Sequence, residues 1–367
     1  MKDQRTIAFY LGSLAKGGAE RVTVNLAEYF LGRGYRVYII TPNQREEEYD
    51  ISPEITRVLC DITGDEIHKS RIHNLRARIL KLRSIFRECA PDVIVSMIGK
   101  NNFMAIQAAK PLGIPVAVSV RSAPEREYMS RAMRILVNPM FRRAAGVILQ
   151  TVDARAFFKK SVQKKAVILP NSLKPDFVKP LYEGKRRKRI VTVGRLDDNK
   201  NQILLVEAFC RIAGEFPEYE LYLYGDGPSR AKWEERVNAG EYASRIHFEG
   251  NRDHIENLID RDRVFVLPSI MEGMPNALME AMALGLTPIS TDCPCGGPRE
   301  LLGENENGLM VHSSADPDEL ADALRSVLAD PELADRLSCK AYERACEFRP
   351  DRVNAMWEKY LLSLMKA

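Results

Sequence analysis

Residues 268–285 read PSIMEGMPNALMEAMALG, in which an apolar run ends, a turn of small residues follows and an apolar helix begins. Gly273 permits a ligand to approach the backbone, and the amides that open the helix near Asn276 favour an anionic phosphate through the helix dipole. Glu272 and Glu280 add carboxylates that suit a polyhydroxylated ligand. The plainer alternative is that Glu272 is a turn residue and Glu280 a surface charge of the helix. A strand, turn and helix in this order are typical of a parallel α/β sheet.

The same alternation of short apolar runs and helical patterns fills the rest of the chain. The runs that suit parallel strands covered on both faces are residues 7–11, 37–41, 93–96, 116–120, 147–150 and 167–169, then 190–193, 221–224, 246–248, 264–267 and 287–290. The pattern stops at Pro170 and resumes after the charged linker 183–189. It predicts two doubly wound, Rossmann-like domains, residues 1–172 and 173–350, that face each other across a cleft. We expect the last helix, within residues 351–367, to pack back on the first domain.

Composition and charge limit the classes of function that the chain can have. The 367 residues contain no apolar run long enough to span a membrane, and the first five lead directly into a strand, which predicts a cytoplasmic protein without a signal peptide. The seven cysteines are scattered, as expected for reduced thiols. Residues 1–180 carry 30 Lys and Arg against 17 Asp and Glu, whereas residues 181–367 carry 24 against 33. A basic half joined to an acidic half indicates that one surface meets an anionic partner.

A second turn of the C-terminal half carries paired cations. Val193-Gly194-Arg195-Leu196 ends a strand, and Lys200 precedes the next helix. Arginine holds phosphate oxygens through two donors and lysine acts as a compact charge, so the pair suits a diphosphate leaving group. The alternative is two solvated surface cations.

These motifs together resemble the retaining glycosyltransferases of family 4, which have the GT-B fold. The signature of glutamate, seven residues and glutamate is Glu272 to Glu280, and similar enzymes carry a Gly-Arg-x-x-x-x-Lys turn like residues 194–200. They also carry turns like Gly-Gly-Ala-Glu at residues 17–20 and Gly-x-Gly-Pro at residues 225–228.

The resemblance implies a role for each matched residue. Arg195 and Lys200 would hold the donor diphosphate, Glu280 the ribose, and Glu272 the transferred hexose; the catalytic residues are then Glu272, Arg195 and Lys200. The turn at Asn251 and Arg252 would lie against the base. The remaining donor-binding residues implied are Gly17, Gly18, Gly194, Gly225, Gly227, Gly273, Met274, Pro275, Asn276 and Ala277.

One position departs from the family pattern. Many members place a histidine, which contacts the donor sugar, at the end of the strand that here reads Val118-Ser119-Val120-Arg121-Ser122. A guanidinium cannot shuttle a proton, so Arg121 is expected to bind phosphate or to position the acceptor.

No metal or cofactor is predicted. Two Asp-x-Asp triplets begin at Asp260 and Asp316, but the first lies before the strand 264–267 and the second is expected to cap a helix. His68, His73, His247, His254 and His312 form no cluster with ligand spacing. The cations of the second domain are expected to stabilise the leaving diphosphate without a metal.

The first domain contains a basic amphipathic segment. Residues 67–87 carry seven Lys and Arg and no acid, and apolar residues from Ile72 to Phe86 recur at helical spacing. A second basic, apolar segment is residues 126–143. The alternative is that the apolar stripe packs on the sheet and the basic face is only solvated. We favour a protein held peripherally at an anionic leaflet, the inner face of the cell membrane, where lipid-linked acceptors lie.

The segment Thr291-Asp292-Cys293-Pro294-Cys295-Gly296-Gly297-Pro298-Arg299-Glu300 is similar to enzymes of bacterial lipid-linked oligosaccharide and surface polysaccharide synthesis. In such relatives a basic helix binds the acceptor's pyrophosphate, which implies acceptor contacts here by Lys69, Arg76, Arg83 and Arg121. The predicted reaction is transfer of a hexose or N-acetylhexosamine, first of all N-acetylgalactosamine, from a UDP-sugar to an undecaprenyl-diphosphate-linked glycan, with an α-linkage.

Other functions fit less well. A UDP-sugar epimerase of GT-B architecture and a transferase with a soluble acceptor remain as alternatives. A nicotinamide dehydrogenase is rejected because residues 12–18 lack the Gly-x-Gly-x-x-Gly spacing. Nucleic acid is not an expected partner, since no aromatic stacking platform accompanies the basic charge.

Overall fold

A computed structural model of the chain describes residues 4–15, 17–67 and 69–365. His68 and the residues at both ends that enter the predictions above lie outside these ranges. The described residues divide into two compact units, of which the first runs to Asn171 and resumes at Val353, and the second runs from Ser172 to Arg352.

The first unit is a parallel sheet of seven strands in the order β3-β2-β1-β4-β5-β6-β7. Its strands are β1 (Thr6–Tyr10), β2 (Arg36–Thr41), β3 (Thr56–Leu59), β4 (Val93–Met97), β5 (Val116–Ser119), β6 (Gly146–Leu149) and β7 (Ala166–Ile168). Its helices are α1 (Gly18–Gly32), α2 (Arg71–Cys89), α3 (Gly99–Ala109), α4 (Pro124–Glu127), α5 (Arg131–Phe141), α6 (Val152–Ala156) and α7 (Lys160–Gln163). Every residue of β1, β4, β5 and β6 is buried, as expected for a parallel sheet covered on both faces.

The second unit is a parallel sheet of six strands in the order β10-β9-β8-β11-β12-β13. Its strands are β8 (Arg187–Val193), β9 (Glu220–Tyr224), β10 (Ile246–Gly250), β11 (Asp262–Leu267), β12 (Thr287–Thr291) and β13 (Leu309–Val311). Its helices are α8 (Gln202–Ile212), α9 (Arg230–Asn238), α10 (Ile255–Leu258), α11 (Asn276–Ala283), α12 (Gly297–Leu302), α13 (Pro317–Ala329) and α14 (Pro331–Ala345). Both predicted parallel sheets are thereby confirmed.

The final helix, α15 (Pro350–Met365), belongs to the first unit from Val353 onward. Trp357 is fully buried, and the hydroxyl of Tyr29 donates to Glu358 over 2.8 Å. Tyr360 stands against the backbone of Gly146, where an added Cβ would lie 2.1 Å from its hydroxyl oxygen. Aromatic burial and this close approach therefore fix α15 on the unit formed by the start of the chain.

Four details differ from the sequence prediction. Strands β3 and β13 were not predicted, because each is short, lies at a sheet edge and includes half-buried or exposed residues. Residues 187–189 belong to β8 and not to the linker, since partners on β9 and β11 outweigh their charge. Asp262 lies within β11 and not before it. The basic helix begins at Arg71, so Lys69 precedes it.

Candidate functional site

The predicted donor turns of the second unit all lie at the carboxyl edge of its sheet. The Gly194 turn follows β8, and the Glu272 turn follows β11, the neighbouring strand. Between these two strands the chain reverses the direction in which it adds strands to the sheet. Ligands of open α/β sheets bind at the carboxyl edge beside such a reversal.

Hydrogen bonds hold the two turns together. The amide of Ile270 donates to the carbonyl of Asn199 over 2.8 Å, and the side-chain amide of Asn199 donates to the carbonyl of Met271 over 3.1 Å. The carboxylate of Asp197 accepts from the amides of Asn199 and Lys200. These hydrogen bonds come from the protein itself, so they hold the Gly194 turn in place without a ligand.

The structure brings Lys200 and Glu272 together. Nζ of Lys200 lies 2.6 Å from Oε1 of Glu272, and both side chains are mostly buried. Arg195 stands apart, with 69% of its side chain exposed and Nε 3.7 Å from Asp197. Because its side chain is mostly exposed and its contact with Asp197 is long, the Arg195 guanidinium keeps donors available for a phosphate.

Glycines allow the neighbouring turns to pack backbone to backbone. A Cβ on Gly225 would lie 2.0 Å from the carbonyl oxygen of Gly194, and one on Gly227 would lie 2.3 Å from that of Leu196. The amide of Leu196 also donates to the carbonyl of Asp226 over 3.0 Å. These contacts give both glycines a packing role, and donor contact by Gly225 and Gly227 stays a prediction.

The Glu272 turn leads into α11 without an acidic residue in the first helical turn. Gly273, Met274 and Pro275 are buried, whereas Asn276 and Ala277 are half-buried at the start of the helix. The positive end of the helix dipole is therefore directed at the same edge as Arg195 and Lys200. Glu280 lies one turn further along α11 and is 8% exposed, so it is not the surface charge of the plainer alternative.

Gly297, from the loop after β12, packs against the backbone of the Glu272 turn. A Cβ on Gly297 would lie 1.6 Å from the carbonyl oxygen of Gly273, closer than any side chain allows. Beside it, the thiol of Cys293 donates to the carbonyl of Ser269 over 3.1 Å, and burial raises the pKa of this thiol to about 12. The loop 292–297 thus buttresses the Glu272 turn, and the Cys293 thiol stays protonated at neutral pH.

The remaining donor predictions lie after β10 in the second unit and at the start of α1 in the first. Asn251 and Arg252 are exposed after β10, where Arg252 donates to Glu249 over 2.8 Å. In the first unit Gly17 caps α1 and Gly18 is its first residue. A Cβ on Gly17 would meet the carboxylate of Glu20, whose pKa is raised by burial. Gly17 therefore makes room for the Glu20 side chain at the amino end of α1.

The predicted acceptor cations are dispersed along the first unit. Lys69 and Arg76 are exposed. Arg83 is half-buried and donates to the carbonyls of Gln107 and Ala108 at the end of α3, which gives it a structural role. Arg121 is buried, and its guanidinium donates to Asn171.

Neither Asp-x-Asp triplet is arranged as a metal site. Asp262 is buried with Arg187 Nε 2.7 Å from its carboxylate, and Asp316 caps α13 by accepting from Asp318 and Glu319. Within residues 4–15, 17–67 and 69–365, no group of three or more His, Cys, Asp or Glu side chains could hold a metal ion.

Sequence reasoning missed the residues that hold the site in shape. Asp197 and Asn199 lie in a run of Asp and Asn between a strand and a helix, which is a recognisable turn signal. Gly297 gives no such signal, because only the fold reveals that its Cα faces Gly273.

Comparison with known proteins adds independent evidence. Residues 16–177 match the family described as Glycosyltransferase Family 4, and residues 174–344 match the family described as Glycosyl transferases group 1. An undecaprenol-linked-glycan α-1,4-N-acetyl-D-galactosaminyltransferase of Campylobacter jejuni is 24% identical, over 98% of this chain and 99% of its own. A second 4-α-N-acetylgalactosaminyltransferase of that organism, named for a diphospho-undecaprenol acceptor, is 26% identical over 97% and 99%.

Solved structures share the fold over the full length. Sucrose-phosphate synthase of Thermosynechococcus elongatus superposes with a TM-score of 0.80 at 19% identity, covering 99% of this chain and 100% of its own. HepE of Anabaena, solved with UDP and glucose, also gives 0.80, at 17% identity, covering 98% and 100%.

Proposed function

Since the chain belongs to the glycosyltransferases, with a family 4 first half and a group 1 second half on the GT-B fold, we propose that it is a retaining hexosyltransferase. Its donor is a UDP-sugar, first of all UDP-N-acetylgalactosamine, and its acceptor an undecaprenyl-diphosphate-linked glycan. The two Campylobacter relatives, matched over nearly their whole length, act on acceptors of this class by name, which supports the acceptor.

The observation that carries the proposal is the assembled edge around Arg195, Lys200 and Glu272. When the bond between the sugar's anomeric carbon and the β-phosphate oxygen breaks, negative charge grows on the diphosphate. Arg195, Lys200 and the amino end of α11 all offset that charge. Glu272, already placed 2.6 Å from Lys200, accepts hydrogen bonds from the sugar hydroxyls.

Retention follows if the acceptor oxygen approaches the face of the anomeric carbon that the diphosphate leaves. The acceptor hydroxyl then forms the new bond, and its proton passes to the departing phosphate oxygen. The protein's contribution is to hold both partners and to stabilise the charge of the leaving group. The cations named above supply this stabilisation without a metal ion.

An exposed surface of the first unit supports the proposal that the acceptor is lipid-linked and lies at an anionic bilayer. On α2, Ile72 is 79% exposed and Leu75 49%, next to Arg71 and Arg76. Around α5, Met129 is 69% exposed and Ile135 73%. Apolar side chains beside lysine and arginine are the pattern of elements that lie in the membrane interface.

The buried part of α2 begins further along the helix, at Leu82, Ile85 and Phe86. The apolar stripe therefore packs on the unit only in its second half. Among the described residues, no helix is both long and apolar enough to cross a bilayer.

The decisive experiment measures UDP release from a panel of UDP-sugars in EDTA, with and without an extract of undecaprenyl-diphosphate-linked glycans. We expect release that depends on one sugar and on the extract. Conversion of the sugar nucleotide without UDP release would favour the epimerase. Release with a water-soluble glycan, at the same rate as with the extract, would favour a soluble acceptor.

A further inference from the structure

Arg121 is a buried cation whose hydrogen-bonding capacity is mostly unused. Its side chain is 8% exposed, and Nε and Nη1 have no hydrogen-bond partner within the described part of the chain. The remaining nitrogen, Nη2, donates to the amide oxygen of Asn171, which is neutral. Burial of a cation without a paired anion is unfavourable, so this guanidinium is an unusual feature of the folded protein.

The carboxylate of Glu127 does not satisfy this guanidinium. Glu127 accepts from the backbone amides of Gly99, Arg121 and Ser122, so its oxygens fasten the loops after β4 and β5. Burial lowers the pKa of Arg121 to about 10, while the charge of Glu127 opposes that fall. The guanidinium therefore remains protonated at neutral pH.

The surroundings of Arg121 come from three adjacent strand ends. Arg121 follows β5, Gln150 follows β6 and Asn171 follows β7. Gln150 donates to Asn171 over 2.9 Å, and its own side-chain oxygen is buried without a partner among the described residues. The ring of Trp357 lies 5.6 Å from the guanidinium carbon and forms one wall. The site thus offers unused N–H donors and one unused acceptor oxygen.

We propose that Arg121, supported by Asn171 and Gln150, is an anion subsite of the first unit that binds a carboxylate or phosphate of a sugar substrate. Unused donors fit anionic oxygens, and the unused Gln150 oxygen fits a hydroxyl of the same ligand. The position of these residues after three strands agrees with ligand binding, because ligands of parallel sheets bind at the carboxyl ends of strands. The inference rests on the proposed transferase for its choice of probes.

The test uses Trp357 as a reporter. The chain has two tryptophans, so Trp233→Phe leaves Trp357 alone beside Arg121. Lys200→Met is added to remove a phosphate-binding cation of the second unit. Titration with inorganic pyrophosphate, UDP-glucose and UDP-glucuronate should give a saturable change in Trp357 fluorescence. A response to pyrophosphate assigns a phosphate, and a response to UDP-glucuronate alone assigns a sugar carboxylate.

Variants at Arg121 complete the test. In that background Arg121→Met should weaken binding of the responding probe about 10- to 100-fold, as expected for loss of a charge-assisted hydrogen bond. Arg121→Lys keeps the positive charge, so it should lose less affinity for that probe than Arg121→Met. The matched control is Lys160→Met, which removes an exposed cation of the same unit and should change nothing.

Silence of Trp357 with every probe, or equal affinity in Arg121→Met and the control, would overturn the inference and leave Arg121 with a packing role. If Arg121→Met does not fold, the titration of the protein with Arg121 intact tests whether the subsite binds an anion. Failure of the proposed function is a separate result, since it is absence of UDP release by the wild-type chain with any donor and acceptor.

Discussion

The carboxyl edges of the two sheets are built in different ways. In the second unit Lys200 and Glu272 already form an ion pair at 2.6 Å, and three turns are joined by backbone bonds and glycine contacts. In the first unit the cations are separate: Arg76 is exposed, and Arg121 is buried with two guanidinium nitrogens that have no hydrogen-bond partner among the described residues. If the proposed roles hold, the donor edge is preorganised, whereas the acceptor edge relies on charge supplied by its ligand.

The charge distribution along the chain agrees with this difference. The 30 Lys and Arg of residues 1–180 exceed the 17 Asp and Glu, whereas the rest of the chain is net acidic. An acidic unit repels a diphosphate unless a few cations are well placed, so its phosphate binding depends on position. A basic unit attracts anions over a wide surface.

The largest effect is expected at the preassembled ion pair. Glu272→Ala and Lys200→Ala should each lower turnover by about 1000-fold, because Lys200 offsets the charge of the leaving diphosphate and Glu272 holds the transferred sugar. UDP release under saturating donor measures this. The control is Lys188→Ala, which breaks an exposed ion pair with Glu218 in the same unit and should leave the rate unchanged. Full activity in either site variant would contradict a donor edge in the second unit.

A smaller effect is expected when the support of the donor turn is disturbed. Gly297→Ala places a Cβ 1.6 Å from the carbonyl oxygen of Gly273, so the backbone must shift. We expect kcat/KM for the donor to fall about 10- to 100-fold, as for a misplaced catalytic group. The matched change in the first unit is Gly32→Ala, which meets nothing within 4 Å and should be silent. Equal activity of the two variants would show that Gly297 does not support the Glu272 turn.

A further effect is expected on membrane binding by the first unit. Ile72→Glu with Ile135→Glu should weaken binding to anionic vesicles about tenfold or more, since both side chains are exposed on basic segments. Co-sedimentation with vesicles measures it. Leu258→Glu changes an exposed apolar residue of the second unit and serves as control. Equal vesicle binding by the double variant and the wild type would leave the surface without this role.

The smallest effect concerns the buried acid of the second unit. Burial raises the pKa of Asp262 from 3.8 to about 6, although Arg187 opposes the rise. Between these values the folded protein binds more protons than the unfolded chain, so the free energy of unfolding should fall as pH rises through about 4 to 6. Asp262→Asn should flatten this dependence in urea titrations. Identical slopes for variant and wild type would show that Asp262 ionises normally.

The sequence was sufficient where motifs follow strands. Residues 194–200 and 272–280 were placed at strand ends because glycine, charge and helical periodicity coincide there, and the structure puts Lys200 against Glu272. It was insufficient where the signal is a contact between distant segments. Gly297 against Gly273, and Arg121 with Asn171 and Gln150, depend on which strands are neighbours.

Local composition also misled at two places. The charged residues 187–189 suggested a linker, but pairing on both sides draws them into β8. The periodicity of residues 67–87 suggested one uniform helix, yet Lys69 precedes it and only its second half is buried. Tertiary pairing decides both cases, and periodicity alone does not report it.

The most direct measurement is calorimetric titration of UDP into the protein in the presence of EDTA. We expect the wild type to bind UDP, the combination of Arg195→Met and Lys200→Met to weaken the affinity about 30-fold or more, and Arg76→Met to leave the affinity unchanged. An undiminished affinity in the double variant, or an equal loss in Arg76→Met, would contradict a preorganised donor edge in the second unit.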